Sequence, residues 1–289
     1  MSKEFTTILS EHIQSCEWLT GLEFNASVGR LKSYKMFLEE LVSCYEREKY
    51  EEINTKLESH LNSLYEASEL AIITKAFKGV EPTGLISKLS ELLKGTNAYL
   101  AENRSSSNRA RNVAFEILVG ARFKLAGYDV DFPPTSDLRI IKDKYEILFE
   151  CKRPSSLKKL DKNISCARKQ LKRSYRGTNK RNRLGIIAID VSKLINPQFN
   201  LLISENEATL GDRLSNITTG FIKSHLEEKY TQIGSKNLGI LVRYSGIAIN
   251  KTENIYTYCQ FYSFMSTAVI GTPADKLVNS IYEQLQMSN

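Results

Sequence analysis

Residues 184–191, Leu-Gly-Ile-Ile-Ala-Ile-Asp-Val, form an apolar run bounded by basic residues on its N-terminal side. Its length suits a strand. Because the run does not alternate with polar residues, that strand belongs inside a sheet, buried on both faces. The surrounding sequence supplies strands to flank it and helices to cover it. Ser107 can cap a helix running to Leu125, with Val113, Ile117, Ala121 and Leu125 on one face and Gly127 as its stop. Short strands are expected at 128–132, 137–141 and 145–153, the last two joined by the turn Lys142-Asp143-Lys144. A helix over 157–175 turns Leu157, Leu160, Ile164, Ala167 and Leu171 inward. Beyond the apolar run come a helix near 206–230, strands near 238–249 and 255–265, and a final helix from Ala274.

The first hundred residues lack this alternation. Segments near 3–19, 27–48, 51–77 and 83–94 repeat apolar residues at helical spacing, for example Ile53, Leu57, Leu61 and Leu64. The small, polar stretch Asn103 to Asn108 reads as a linker. The expected organisation is an acidic α-helical N-terminal domain, 1–105, followed by a mixed domain, 106–289. The fold class is α/β in the broad sense (α+β).

Charge divides the chain in the same way. Residues 1–100 hold 11 Lys/Arg against 15 Asp/Glu, whereas residues 151–183 hold 13 Lys/Arg against the single acid Asp161. Such a run is either a solvated helix face or the footprint of a protein that holds phosphates. Of the 289 residues, 42% are hydrophobic and 25% charged, a composition able to bury a core. Charges at Lys3, Glu4 and Glu11 interrupt the apolar stretch a signal peptide needs, and no run is long enough to span a bilayer, so a cytoplasmic protein without membrane contact is expected. Five cysteines without a CxxC pair suggest neither a disulfide framework nor a zinc ribbon, and His12, His60 and His225 are too scattered to ligate zinc together. Gly79 and Gly84 have P-loop spacing, but Leu85-Ile86 stands where Lys-Ser/Thr is required.

On the strand at 145–153, the two-residue period puts Glu150 and Lys152 on one face and Ile147, Phe149 and Cys151 on the other. If 137–141 pairs antiparallel with 145–149, Asp137 lies at the same end of the hairpin. Two carboxylates and a lysine then converge, which suits a hard cation such as Mg²⁺ held by oxygen. Lysine there can orient or deprotonate an attacking water and offset phosphate charge. The bland alternatives are a turn residue for Asp137 and an edge-strand ion pair for Glu150 with Lys152.

The order of helix with Glu116, strand, Ser136-Asp137, strand, Phe149-Glu150-Cys151-Lys152, helix and strand resembles the PD-(D/E)xK nuclease superfamily over residues 107 to about 195. The proline usually written just before the first aspartate is displaced to Pro133 and Pro134. The resemblance implies a restriction-endonuclease-like αβββαβ core, with a mixed sheet flanked by helices, following the all-α N-terminal domain. It also implies Asp137, Glu150 and the Cys151 carbonyl as Mg²⁺ ligands, with Mn²⁺ able to substitute, and Lys152 as the residue positioning the water. Glu116 would match an acidic residue on the first helix, and Gln170 a polar position on the helix after the motif. The cationic side chains of that helix, Lys158, Lys162, Lys169, Lys172 and Arg173, would hold nucleic acid.

The resulting expectation is a Mg²⁺-dependent deoxyribonuclease, an endonuclease on double-stranded DNA in a restriction or phage-defence setting. Duplex cleavage by this fold often uses two protomers, so a homodimer is implied by the resemblance. Two alternatives stay open. One is a catalytically inactive nucleic-acid-binding module on the same fold, and the other an interaction protein acting through its N-terminal helices. The aromatic alternation Tyr256, Tyr258, Tyr262 and Phe264 is read as sheet packing in preference to a base-stacking platform.

Overall fold

The apolar run forms β4 (Arg183–Asp190), parallel to β3 (Tyr145–Lys152) on one side and to β6 (Asn237–Asn250) on the other. In the computed structural model, residues 5–95, 109–175, 182–230, 234, 236–252 and 255–287 are described. Around β4 they build a mixed seven-stranded sheet, so the fold is α+β. β1 (Asp129–Asp131) and β2 (Leu138–Lys142) extend the sheet from β3 as an antiparallel meander. Beyond β4, the long strand β6 pairs first with β4 and then with β5 (Leu202–Ser204), both parallel. The antiparallel strand β7 (Ile255–Ser266) lines the other side of β6.

Helices cover both faces of the sheet. Ile147, Phe149 and Cys151 of β3 pack with Val113, Ile117 and Ala121 of α6 (Arg109–Leu125). Leu148, one residue out of phase, packs with Leu160, Ile164, Ala167 and Leu171 of α7 (Leu157–Ser174). A strand that buries both sets of alternating side chains has no polar face to offer solvent, so its centre, Ile147–Phe149, is continuously apolar between Glu146 and Glu150.

The N-terminal residues form α1 (Phe5–Gly21), α2 (Gly29–Glu46), α3 (Tyr50–Thr55), α4 (Leu57–Phe77) and α5 (Leu85–Leu93). The single helix expected over 51–77 is broken at Lys56, whose φ of −119° leaves the helical region. The Thr55 hydroxyl donates to the Glu52 carbonyl at 2.7 Å, a local bond that competes with the helical ladder. The helix expected near 206–230 is α9 (Glu207–Ile222), continued by one π turn over Lys223–Glu227. The short α8 (Ser192–Ile195) and β5 have too few residues to show a period in sequence, and α10 (Pro273–Met287) closes the described chain.

The proposed linker, 103–108, and the boundary at 105/106 lie outside the described residues. The core is continuous between the two parts. Leu19, Leu31, Leu70, Ile73, Phe77, Leu85 and Leu89 from the helical part share one buried cluster with Phe115, Phe123, Ile140, Phe149 and Leu241. Of the β7 tyrosines, Tyr262 joins this cluster, whereas Tyr258, edge-on to Tyr65 at 5.4 Å, and Tyr256, 6.0 Å from Phe5, pack in a second one.

A buried polar chain joins the layers. Arg243 of β6 is hydrogen-bonded to Glu69 of α4, to Tyr258 and, at 3.4 Å, to Asp190, which also accepts from Arg153 at 3.0 Å. Nearby, Tyr65 and Ser245 hydroxyls meet at 2.8 Å. Among the described residues no helix is long and apolar enough to cross a membrane.

Candidate active site

β2 and β3 end side by side, and this places Asp137 at Glu150. The register pairs Leu138 with Phe149, so the strand begins one residue later than expected and Asp137 sits just before it. Its N–H donates to the Phe149 carbonyl at 3.1 Å, while its Oδ2 accepts the Cys151 N–H at 2.8 Å. Two backbone bonds therefore orient the carboxylate across the strand end. Lys152 Nζ lies 3.0 Å from Glu150 Oε2 and 3.4 Å from Asp137 Oδ2. The side chains are 3% exposed for Glu150, 15% for Lys152 and 23% for Asp137, so the cluster opens outward at the aspartate.

Burial and neighbouring charge set the protonation pattern. Burial, then the negative charge of Asp137, pushes the Glu150 carboxyl up to about 7 against the pull of Lys152. Glu116, on α6, is likewise raised to about 7 by burial and Asp137, and Lys88 of α5 opposes that rise. Burial alone would lower Lys152, but Asp137 and Glu150 outweigh it and hold the ammonium above its usual range. In the free protein Lys152 is therefore a fixed positive charge, better suited to orienting a water or phosphate than to removing a proton. Burial drives the Cys151 thiol well above its usual range, so its side chain is an apolar wall and only its backbone faces the site.

Glu116 feels the charge of Asp137 and Lys152 and is held by an ion pair that sequence reasoning missed. Lys88 binds Glu116 directly, and its ammonium also stands 5.7 Å from the Phe132 ring. The approach depends on Gly84, at the start of α5, whose φ is +82° and where a Cβ would meet the Phe132 carbonyl oxygen at 2.2 Å. The glycine that fails as part of a P-loop thus docks α5 against the loop leading to Asp137. Nothing in the spacing of residues 79–85 announces this, because the partner is distant in sequence. Asp190, at the end of the apolar run, does not join the cluster. Burial would raise its carboxyl, but Arg153 and Arg243 hold it below its usual range, and Arg153 follows Lys152 directly.

The residues fit a hard cation in part. Asp137, Glu150 and Glu116 outnumber Lys152 and Lys88, and burial together with the charge of Asp137 raises two of the three carboxyls even beside those lysines. Among the described residues, however, no three His, Cys, Asp or Glu groups close around one point. Mg²⁺ does not demand such a cage, since it keeps several waters and is often held by one or two carboxylates.

The cationic helix starts five residues after Lys152. Lys158, Lys159, Lys162, Lys169, Lys172 and Arg173 are exposed on α7, with Gln170 half-buried and accepting from Cys166 Sγ at 3.4 Å. The basic run is narrower at the surface than its sequence count suggests. Lys152, Arg153 and Arg183 are ion-paired inside, Arg183 with Glu146, and Arg176, Lys180 and Arg181 lie outside the described residues. Ser174 donates to the Thr135 carbonyl at 2.6 Å, tying the end of α7 to the loop before Asp137. Compared with known family models, curated proteins and solved structures, the chain matches none.

Proposed function

We propose that this chain is a metal-dependent nuclease of the PD-(D/E)xK type, hydrolysing phosphodiesters of double-stranded DNA. The observation that carries the reading is the convergence of Asp137, Glu150 and Lys152 at one strand end, beside an exposed cationic helix. The order α6, β1, β2, β3, α7, β4 is that of the core the resemblance implies.

Asp137, Glu150 and the Cys151 carbonyl would hold Mg²⁺, with Mn²⁺ as a substitute. When bound, the ion supplies positive charge to the phosphate and acidifies water. Lys152 orients the attacking water and offsets charge on the phosphate as it reacts. Glu150, whose carboxyl is raised to about 7, would in its ionised form balance the charge of such an ion. Glu116, steadied by Lys88, supplies a further carboxylate for water or a second ion. Lys158, Lys162, Lys169, Lys172 and Arg173 hold the backbone, and Gln170 is available at the rim. Cytoplasmic action and a homodimer accompany the reading as parts of the same proposal.

A second reading, nucleic-acid binding without cleavage, is favoured by one observation: Lys152 already bridges both carboxylates. Incubation of purified protein with plasmid and labelled duplexes in Mg²⁺ or EDTA separates the two. Cleavage that requires Mg²⁺ supports the nuclease. Tight binding with intact substrate under both conditions supports the module.

A further inference from the structure

The flank of α7 turned away from Asp137 carries a second feature. Ser174 faces the loop before Asp137, whereas Arg168 and Lys172 stand roughly 120–160° around the helix from it, at 100° per residue. On that side, α7 and the start of β6 enclose a cleft of about 510 Å³. Arg168, Lys169 and Lys172 line it from the helix, and Lys236 and Asn237 line it from the strand. Its wall includes Tyr175, whose hydroxyl donates to Asn237 Oδ1 at 2.8 Å and whose ring lies 5.5 Å from the Lys236 ammonium. Gly185 makes this wall possible, because a Cβ there would strike the Tyr175 hydroxyl at 1.9 Å.

Four cations therefore converge on one concavity from two elements, and among the described residues no carboxylate lines it. None of the four forms an ion pair among the described residues, although Arg153 and Arg183 nearby are both paired. Like charges gathered without a counter-charge repel one another, so the arrangement favours an anion bearing several charges. Arg168 offers a planar fork and the lysines offer point charges, the combination that recognises phosphate oxygens. The volume lies within the range of small-molecule sites and exceeds what one inorganic ion needs.

We propose that this cleft is a phosphate-binding site of nucleotide size, separate from the carboxylate centre. It shares Lys169 and Lys172 with the backbone-holding surface of the nuclease reading but goes beyond that reading, since it requires no cleavage chemistry. The phosphate can come from a free nucleotide or from a nucleotide within a strand.

The test is calorimetric titration of the full chain, in EDTA at low salt, with ATP and with a single-stranded dodecamer. One ATP per chain is expected, bound at least tenfold more weakly by Arg168→Gln/Lys172→Gln and by Lys236→Gln. Lys158→Gln/Lys162→Gln, on the outward ridge of the same helix, should change ATP affinity less than twofold. If ATP fails to bind but the dodecamer binds and loses tenfold in the cleft variants, the phosphate comes from a strand. ATP binding that the dodecamer does not displace identifies a free nucleotide. Loss of ATP affinity from the ridge variant equal to that from the cleft variants would overturn the proposal, because diffuse attraction would then suffice. So would unchanged affinity of both probes in the cleft variants, and so would the absence of binding by either probe. Should Lys236→Gln lower Tm through its lost contact with Tyr175, the Arg168→Gln/Lys172→Gln protein decides alone. Cleavage in Mg²⁺ is measured separately, and Glu150→Ala should retain ATP binding, so failure of the cleft and failure of the nuclease reading give different patterns.

Discussion

A carboxyl buried beside another carboxylate keeps its proton to a higher pH than one in water, and Glu150 and Glu116 both do so here. Between the ordinary value of 4.5 and about 7, the folded chain retains protons that the unfolded chain has released. Their contribution to stability is thus full below the unfolded value and is lost as pH rises through the folded one. In EDTA, the Tm of the wild type relative to Glu150→Gln should fall between about pH 4.5 and 7, as read by calorimetry. A difference that stays flat would mean that Glu150 titrates normally. Mg²⁺ at pH 7.5 should raise the wild-type Tm by binding only the folded state. In cleavage assays, Asp137→Ala and Glu150→Ala should each lose about 10²-fold or more while remaining folded by circular dichroism. Either variant cutting at the wild-type rate would move the site elsewhere. Asp137, Glu150 and Lys152 were legible because period-two geometry and one hairpin suffice to bring them together. Lys88 was not, because its meeting with Glu116 depends on how α5 lies over Phe132.

On α7 the helical period was legible save at its first residue, where Leu157, expected inward, lies exposed; elsewhere an apolar stripe opposite a charged one has few other solutions. What the charge run could not show was that Lys152, Arg153 and Arg183, outside the helix, are paired inside. If Lys158, Lys162, Lys169 and Lys172 each contact a phosphate, log K for duplex should fall with log salt at about −0.9 per contact, roughly −3.6 in all. Replacing the four with Gln should remove that slope and weaken every sequence alike. Lys152→Ala should instead lose cleavage and keep most of the slope, and filter binding across a salt series checks both. An unchanged slope in the four-Gln protein would reduce the helix to a solvated face. The elements that escaped the sequence are short or locally broken. β5 and α8 are below the length at which a period exists, and the break at Lys56 arises from a Thr55 hydroxyl bond that no hydrophobic pattern records.

The two parts of the molecule share one core although charge and secondary structure change between them. Cutting the chain near residue 105 should leave the fragment 106–289 with the apolar surface that Leu31, Ile73, Phe77 and Leu89 now cover. That fragment is expected to aggregate or to bind a hydrophobic dye. A monomeric fragment with cooperative unfolding would show that the sheet holds without its helical cover. The buried chain at Arg243 makes a second test, because the side chain is 1% exposed and is shared by Glu69 and Asp190. Arg243→Ala should cost about 3–5 kcal/mol in urea denaturation, since it removes the buried cation from Glu69 and leaves Asp190 with Arg153 as its one paired guanidinium. A loss below about 1 kcal/mol would mean that water replaces the guanidinium. None of this was legible, because the partners are far apart: Arg243 meets Asp190 across 53 residues and Glu69 across 174. Those separations bear on how the molecule is born. A ribosome releases Asp137, Glu150 and Lys152 long before it releases β6, whose parallel pairing completes the flank of β4 and whose Arg243 secures the helical layer. Long-range parallel pairing forms slowly, so a half-made chain already carries the chemical groups of the site but lacks the frame that aims them. Competence therefore arrives late in synthesis, when the strand that closes the sheet has emerged.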